Sequence, residues 1–320
     1  MTHSKRTGSN KSETQDRIPC RVHPMLAVLA SKPSNQPGWV YEEKYDGYRI
    51  LAYKEGAKVT LLSRNDKDRT ATYAGVANLV AELSPRTLLL DGEVVALDKN
   101  GISRFELLQQ GAAKPRYAVF DCLYLNGQDL RRQPLRERRK ALEKTVPTKT
   151  GLFVSRRLAS NGLVAYEIAK KKGYEGVLAK DESSSYIEGR SSSWLKFKVH
   201  QEDEFVIVGY TPPEGSRKYI GALLLGAHQD GKLYYVGKVG TGFSQERLRS
   251  LHSRFKPLIR KSPPIANPPR EPGVIYLKPD LVAQIGFQEW TDDKKLRQAR
   301  FLGLRDDKAA REVSVPESAP

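Results

Sequence analysis

A lone lysine stands in the segment EEKYDGYRI, residues 42–50, two positions before an Asp-Gly pair. An uncharged lysine amine is a nucleophile, and neighbouring cations or partial burial favour that uncharged form. The Asp-Gly pair is also a common hairpin turn, in which case Lys44 would be a solvated strand residue. The segment alone leaves both interpretations open.

Three further polar clusters interrupt apolar segments. Asp91 and Glu93 lie in the strand-like run LLLDGEVVAL, Glu175 follows a predicted helix end in GYEGVLAKD, and Lys196 and Lys198 lie in SWLKFK. Side chains two apart in a strand share a face, so the two lysines repel each other unless an anion lies between them. Taken singly, the clusters fit a turn, a loop and a solvated face. Together with the lone lysine, they predict a nucleophile, carboxylates for a divalent metal and paired lysines that neutralise phosphates.

The elements that must position these side chains form a mixed, largely antiparallel pattern. Apolar residues at 76, 79, 80 and 83 share one face of a helix that should end near Ser84-Pro85. Another helix should stop at Gly173, because glycine tolerates a left-handed cap. The predicted elements before residue 200 are strands at 40–53 with an internal turn, 88–97 and 117–125, and helices at 76–83, 134–144 and 163–172.

Beyond residue 200 the pattern changes to short strands separated by Gly and Pro. Leu248, Leu251 and Phe255 share one face of an intervening helix. Five strands with one helix predict a small β-barrel of the OB-fold kind, a frequent nucleic-acid binder. The predicted strands are 205–210, 221–228, 232–239, 273–278 and 281–287.

The charge balance favours a polyanionic partner. The 320 residues include 54 Lys+Arg and 37 Asp+Glu, a formal net charge of +17 at pH 7. Basic proteins bind phosphates with release of counterions, which favours nucleic acid over an acidic membrane surface. No apolar run approaches the roughly 20 residues that a membrane helix needs.

The sequence argues against structural zinc. Cys20 and Cys122 are too few for the four thiolates of a zinc ribbon, and the five histidines show no metal-ligand spacing. Low cysteine use indicates a reduced compartment. The first 17 residues lack the apolar stretch of a secretory signal, so we expect a disordered basic tail there.

The ordered set of clusters resembles the nucleotidyltransferase motifs of ATP-dependent DNA ligases. The resemblance covers nearly the whole chain after residue 22. It is strongest to the ligase module of bacterial end-joining ligases, in which WLKFK, GALLLG, YVGKVGTGF and FLGLRDDK follow in this order. The matching motifs begin at Lys44 (KYDGYR), Ser63 (SRN), Asp91 (DGE), Tyr117 (YAVFD), Glu175 (EGV), Lys196 (KFK) and Arg305 (RDDK).

The resemblance implies an α+β fold in two domains. An ATP-grasp-like nucleotidyltransferase domain, with largely antiparallel sheets and helices, would precede a five-stranded OB-fold barrel. The implied divisions are a disordered basic tail at 1–20, an adenylation domain at 21–200, an OB-fold domain at 201–313 and a flexible C-terminal tail at 314–320.

The resemblance also implies ATP as cofactor, with Mg²⁺, or Mn²⁺ in its place, as the metal. Lys44 would attack the α-phosphate of ATP, expel pyrophosphate and form a lysyl-AMP. The other implied roles are Glu42 for the adenine amino group, Phe120 for stacking on adenine, Arg49 and Glu93 for the ribose region, Glu93 and Glu175 for the metal, Lys196 and Lys198 for the α-phosphate, and Arg64 for a phosphate of the nucleotide or the nick.

The last motif would lie on the barrel. Arg305, Asp307 and Lys308 would orient pyrophosphate only when the barrel closes over the nucleotide. AMP would then move to the 5′-phosphate of a nick, and the adjacent 3′-hydroxyl would displace it and seal the strand.

The implied substrate is nicked double-stranded DNA, bound by a monomer in the cytoplasm, at the nucleoid if the source is bacterial. End-joining proteins are candidate partners, although the sequence does not say whether they recruit it, and no membrane is involved. KYDGYR is shared with RNA ligases and capping enzymes, so an RNA ligase or a GTP-using capping enzyme stays open as an alternative. A non-catalytic OB-fold nucleic-acid-binding protein is another. An NAD-dependent ligase is disfavoured, because its zinc-binding cysteines are absent.

Overall fold

The structure, a computed structural model, describes residues 18–30, 33, 35–147, 151–199, 201–215 and 217–316. The strands are β1 (Met25–Leu29), β2 (Trp39–Lys44), β3 (Tyr48–Glu55), β4 (Lys58–Ser63), β5 (Thr87–Val95), β6 (Arg116–Leu125), β7 (Gln128–Asp129), β8 (Leu152–Val154), β9 (Arg157–Ala159), β10 (Gly176–Asp181), β11 (Gly189–Lys198), β12 (Glu202–Tyr210), β13 (Leu223–Gln229), β14 (Lys232–Val239), β15 (Ile259–Arg260), β16 (Ile275–Leu277), β17 (Val282–Gly286), β18 (Glu289–Trp290), β19 (Leu296–Arg297) and β20 (Arg300–Leu304). The helices are α1 (Ala74–Ala81), α2 (Phe105–Gln110), α3 (Leu135–Thr145), α4 (Gly162–Lys172) and α5 (Gln245–Phe255), with short 3₁₀ helices at Lys256–Leu258 and Ala310–Glu312.

The KYDG segment carries the chain from one sheet to another. β2 belongs to a five-stranded sheet of order β1-β11-β10-β2-β9, whereas β3 belongs to a six-stranded sheet that contains β4-β3-β5-β6-β7 and β8. The hairpin interpretation of Asp46-Gly47 is therefore wrong, because β2 and β3 do not pair. A Cβ atom on Gly47 would lie 2.1 Å from the carbonyl oxygen of Val94 in β5, so the crossing requires glycine. Lys44 consequently stands where the two sheets meet.

The predicted strands and helices of the first 200 residues are present. Asn161 caps α4 by accepting hydrogen bonds from the backbone N–H groups of residues 163 and 164, and Gly173 ends it with φ +75°. Pro134 precedes α3 as its cap residue, with ψ 147°. The six-residue helix α2 was not predicted, because it is too short to show a helical period. The sheets are largely antiparallel, as expected, and β1–β11 and β6–β8 are parallel pairs.

The barrel closes through β12, β13, β14, β20, β17 and back to β12. The link between β14 and β20 is a bridge from Thr241 to Arg300. The predicted strand at 273–278 forms as β16, but it pairs with the far end of β12 outside this circuit. The segment 300–304 takes the fifth place instead. α5 packs Leu248, Leu251 and Phe255 into the barrel core, as predicted.

The structure describes a few residues of each predicted terminal tail. Ile18 is 6% exposed and packs in a core cluster, and Ser314 forms a bridge with His228. The rest of both predicted tails, 1–17 and 317–320, lies outside the described residues. Among the described residues, no helix is long and apolar enough to span a bilayer.

Candidate active site

Three neighbouring strands bring the nucleophile candidate and the paired lysines onto one face. Lys44 in β2 is in register with Gly176 in β10, and Gly176 is in register with Lys198 in β11. Residues in register across a sheet point to the same side, and Gly176 adds no side chain between the two lysines. The same face carries Glu42 and Lys196, each two positions earlier in its strand. The structure thus brings these predicted residues together.

Lys44 forms a salt bridge with the Oε1 atom of Glu175. The two side chains are 19% and 9% exposed, so the contact is largely shielded from water. The second carboxylate oxygen of Glu175, Oε2, is buried without a hydrogen-bond partner among the described residues. An unpartnered buried carboxylate oxygen is costly, which marks this atom as a candidate ligand for a cation.

Other carboxylates surround Lys44. Burial, with repulsion from Glu175, raises the pKa of Asp46 to about 6. Burial likewise raises the pKa of Glu93 to about 7, although Arg49 and Lys44 oppose that rise. Carboxyl groups short of counter-charge suit a bound cation.

The predicted metal ligands Glu93 and Glu175 fit a divalent ion with few protein ligands. Within the described ranges there is no group of three or more His, Cys, Asp or Glu side chains arranged for a metal. Mg²⁺ is commonly held by one or two carboxylates together with substrate phosphates and water. The donor set is therefore compatible with such an ion, held jointly by the protein and its substrate.

Glu42 lies in a buried network at the other end of this face. Its Oε1 accepts a hydrogen bond from Arg139 at 2.8 Å, and its Oε2 accepts from Lys180 at 2.7 Å and from the Ser155 hydroxyl at 2.8 Å. Burial alone would raise the pKa of Glu42, but Lys180 and Arg139 hold it below its usual value. Glu42 is thus a fixed anion, only 2% exposed.

Arg49 and Phe120 lie next to each other. Arg49 donates to both carboxylate oxygens of Asp91, at 2.5 and 2.6 Å, and its guanidinium lies 4.4 Å from the Phe120 ring centroid. Asp91 is therefore a buried carboxylate paired with Arg49. The β-ladder pairs Arg49 directly with Glu93, so the two residues implied for the ribose are neighbours. Phe120 is 3% exposed, and the ammonium of Lys180 lies 4.5 Å from its ring centroid.

The paired lysines differ in their electrostatic surroundings. Lys198 lies 3.3 Å from Asp203. Burial opposes the charge of Lys198, but Asp203 and Glu204 raise its pKa overall. Burial and the charge of Lys198 lower the pKa of Lys196 to about 8. Of the two lysines, Lys196 therefore has the less stable charge, and a bound phosphate would stabilise it more than that of Lys198.

The last motif lies against this site from the barrel. Arg305 donates to both oxygens of Asp307, at 2.9 and 2.8 Å, and to Gln284 at 2.9 Å. Gln284 in turn donates to Asp46 at 3.2 Å, which connects the barrel to the KYDG segment. Lys308 lies 3.3 Å from Glu204. The barrel is thus closed over the face that carries the predicted nucleophile.

Arg64 is also engaged by the barrel. Its Nη2 atom lies 2.9 Å from Oε2 of Glu312. Its neighbours hold the last motif too, because Asn65 donates to the carbonyl of Asp307 at 2.8 Å and Arg69 contacts Asp306 at 2.8 Å. The segment after β4, predicted to face phosphate, is therefore a docking site for the barrel in this arrangement.

Two family models match the chain. The ATP dependent DNA ligase domain matches residues 24–198, more than half of the chain, and the ATP dependent DNA ligase C terminal region matches residues 216–308. The chain belongs to the ATP-dependent DNA ligase family. The family resemblance that the motifs indicated is confirmed.

Two relatives of this chain are multifunctional end-joining proteins. It is 39% identical over 317 residues to the multifunctional non-homologous end joining protein LigD of Pseudomonas aeruginosa, covering 95% of this chain and 38% of that protein. It is 38% identical over 300 residues to the LigD of Mycobacterium tuberculosis H37Rv, covering 91% and 39%. The ligase chain thus spans less than two fifths of the length of these relatives.

A solved structure supports the fold of the ligase. The mycobacterial DNA ligase D complexed with ATP and MES is 34% identical, with a TM-score of 0.70, and covers 92% of this chain and 98% of that one. The predicted α+β fold with an OB-fold barrel is confirmed.

Several residues of the ligase site were missed in the sequence. Four residues contact predicted site residues without having been predicted themselves: Arg139, Lys180, Gln284 and Glu312. A signal for Arg139 exists, because it lies on the stripe 135, 138, 139 and 142, the i, i+3, i+4, i+7 face that α3 buries. A charged residue on a buried stripe requires a buried partner. Gln284 and Glu312 carry no local signal, since the contact of Gln284 with Asp46 and that of Glu312 with Arg64 each span more than 230 residues.

Proposed function

We propose that this chain seals nicks in duplex DNA, through a lysyl-AMP and then a DNA-adenylate, as part of end-joining repair. Residues 21–200 would act as the adenylation domain and residues 201–313 as the OB-fold domain. The observation that carries the proposal is the face shared by Lys44, Lys196 and Lys198, against which the barrel places Arg305 and Lys308. A nucleophile with cations on both sides suits a phosphoryl-transfer reaction, which needs positioning and charge neutralisation.

In the first step, Lys44 in its neutral form attacks the α-phosphorus of ATP and the bond to pyrophosphate breaks. Lys196 and Lys198 neutralise the α-phosphate, while Arg305 and Lys308 orient the departing pyrophosphate. Glu93 and Glu175 would hold Mg²⁺ or Mn²⁺, which supplies positive charge at the phosphates when bound.

The nucleoside is held at the other end of the site. Glu42 accepts a hydrogen bond from the adenine amino group, and Phe120 packs against the purine. Arg49 and Glu93, paired across β3 and β5, hold the ribose region. These roles follow the family motifs, and the depth of Glu42 and Phe120 in the structure supports a shielded base pocket.

In the later steps AMP passes from Lys44 to the 5′-phosphate of the nick, and the 3′-hydroxyl then displaces AMP. Arg64 holds a nick phosphate once it is released from Glu312. The formal charge of +17 favours binding to the DNA backbone. We further propose that the ligase acts as a monomer in the cytoplasm, at the nucleoid of a bacterial cell, and that end-joining partner proteins recruit it. The names of its LigD relatives, which refer to non-homologous end joining, support the end-joining part of this proposal.

Incubation of the protein with labelled ATP and magnesium tests the proposal. Wild-type protein and the control Lys58→Ala, an exposed strand lysine, should become AMP-labelled. Lys44→Ala should lose both the label and nick sealing, and peptide mapping should place the label on residue 44. Full labelling of Lys44→Ala would refute the assignment.

Substrate comparison separates the alternatives. A nicked DNA duplex should be sealed faster than a nicked RNA duplex, and ATP should support the reaction better than GTP. Preference for RNA or GTP would favour an RNA ligase or capping enzyme, and tight nick binding without labelling would favour a non-catalytic binder.

A further inference from the structure

Helix α3 buries two consecutive arginines, and each holds a different carboxylate. Arg138 and Asp121 are both fully buried and paired at 2.8 and 2.9 Å. Arg139 is 6% exposed and pairs with Glu42. Burying a guanidinium is costly unless its donors are all satisfied, so each pairing is a specific feature of the fold. Arg138 holds a carboxylate outside the proposed nucleotide contacts, whereas Arg139 holds one within them.

All three nitrogens of the Arg139 guanidinium are engaged. Nη1 donates to Glu42 at 2.8 Å and to the Ser155 hydroxyl at 2.9 Å, Nη2 donates to the Ser155 carbonyl at 2.7 Å, and Nε donates to Glu143 at 2.8 Å. The planar donor fork is therefore fixed in rotation as well as in position. The helix itself is anchored, because its first backbone N–H, on Leu135, donates to the carbonyl of Ser184 at 2.8 Å. Arg139 thus presents a rigid donor to Glu42.

The two carboxylate oxygens of Glu42 are used unequally. Oε2 accepts two hydrogen bonds, from Lys180 and from Ser155, whereas Oε1 accepts one, from Arg139, among the described residues. A carboxylate oxygen has about two acceptor positions, so Oε1 keeps one. The hydrogen bond from Arg139 fixes the orientation of Oε1, and with it the direction in which the second acceptor position of Oε1 points.

We propose that Arg139 is a positioning residue for purine recognition. It fixes the Glu42 carboxylate so that the remaining acceptor position of Oε1 receives an N–H of the adenine 6-amino group. Lys180 cannot do this alone, because an ammonium is a point charge that lets the carboxylate turn about its last bond. The inference deepens the proposed function and rests on the adenine role of Glu42.

Formation of the covalent lysyl-nucleotide provides the test, with ATP compared against purine riboside triphosphate, which lacks the 6-amino group. For wild-type protein, kcat/KM should favour ATP on the order of 10- to 100-fold, as for a hydrogen bond to a charged group. Glu42→Gln should reduce this preference. Arg139→Lys should also reduce it, at least about fivefold, through a higher KM for ATP with kcat less affected.

Arg138→Lys is the matched control. It makes the same change one position away on the same buried stripe, and it should lower the melting temperature while keeping the wild-type preference for ATP. Where Arg139→Lys does not fold, Ser155→Ala replaces it, since the Ser155 hydroxyl contacts both Glu42 and Arg139. Ser155→Ala should reduce the preference about two- to threefold, the effect of losing one of several hydrogen bonds.

The outcomes separate the two levels of the proposal. Absence of any lysyl-nucleotide overturns the proposed function, and a wild-type protein without preference for ATP overturns the role of Glu42. Where wild-type protein forms the lysyl-nucleotide and prefers ATP, a wild-type preference in Arg139→Lys, or in Ser155→Ala in its place, overturns the role of Arg139. A loss of preference in Arg138→Lys equal to that in Arg139→Lys also overturns it, because the effect would then belong to the helix.

Discussion

Arg64 and Glu312 form an ion pair of 2.9 Å that joins the loop after β4 to the 3₁₀ helix at the end of the barrel. Arg64 is also the residue that the family motifs assign to a phosphate. One guanidinium edge cannot hold both the carboxylate and a DNA phosphate. Under the proposed function, closure of the barrel and contact of Arg64 with the nick would therefore be alternative states of the same side chain.

Glu312→Ala should weaken the closed state and slow formation of the lysyl-AMP. The pair is partly exposed, so its contribution is on the order of 1 kcal/mol or less, and the expected slowing is about two- to fivefold. Sealing of a nick that already carries AMP should not slow, because Arg64 is then free for phosphate. Single-turnover rates of the two steps check this.

The control for that change is Glu271→Ala, which removes a barrel ion pair with Lys238 that does not reach the other sheets. It should leave both rates unchanged. Equal slowing of both steps by Glu312→Ala would contradict the assignment of Glu312 to closure alone.

Binding of ATP should weaken as the pH rises past about 8. Burial and Lys198 lower the pKa of Lys196 to about 8, so Lys196 is charged below that pH and neutral above it. The Kd for ATP, measured in a Lys44→Ala background so that no lysyl-AMP forms, should rise several-fold as the pH rises above about 8. The charge of Lys44 also lowers the pKa of Lys196, so the rise should occur at a somewhat higher pH in this background.

Lys196→Arg should flatten that profile, because arginine keeps its charge throughout this range. The comparison is made in the same Lys44→Ala background. A profile identical for lysine and arginine at position 196 would show that another group controls the pH dependence.

Glu43 should make the fold less stable as the solution becomes more alkaline. Burial raises the pKa of Glu43 from 4.5 to about 7, although Arg156 opposes the rise. Between pH 4.5 and about pH 7, the folded state therefore binds more protons than the unfolded state. The free energy of unfolding that the neutral Glu43 carboxyl contributes is complete below about pH 4.5 and is lost as the pH rises through about 7. Glu43→Gln should raise the free energy of unfolding more at pH 8 than at pH 5, by at most about 3 kcal/mol, in denaturant titrations. An equal effect at both values would contradict this.

Gly176→Ala should destabilise the sheet that carries the site. A Cβ atom there would lie 2.0 Å from the Phe197 carbonyl oxygen, so the backbone of β11 must move. We expect a loss of about 2–4 kcal/mol, measured by chemical denaturation. Gly75→Ala in α1 is the control, because its Cβ meets nothing within 4 Å and alanine favours a helix by about 1 kcal/mol. Similar losses for both variants would show that the contact at Phe197 is not the cause.

Local patterns predicted much of the secondary structure. The helices α1, α3 and α4 follow from apolar spacing and from end signals such as Gly173, because hydrogen bonds within a helix are local. The barrel strands were predicted where turns separate apolar runs, but residues 273–278 were placed in the ring that 300–304 completes. Both segments are short and apolar. An apolar pattern indicates which residues are buried, but it does not indicate which strand pairs with which.

The sequence by itself determined the chemical groups of the candidate site and their order, since the residues at 44, 93, 175, 196 and 198 are an amine, two carboxylates and two cations, the groups expected for phosphoryl transfer. The tertiary structure alone decided that β2 and β3 enter different sheets, that Arg139 rather than solvent meets Glu42, and that Glu312 meets Arg64. The physical reason is distance along the chain. Spacing within an element reports which face it buries, whereas these contacts join residues about 100 to 250 positions apart through the packing of separate elements.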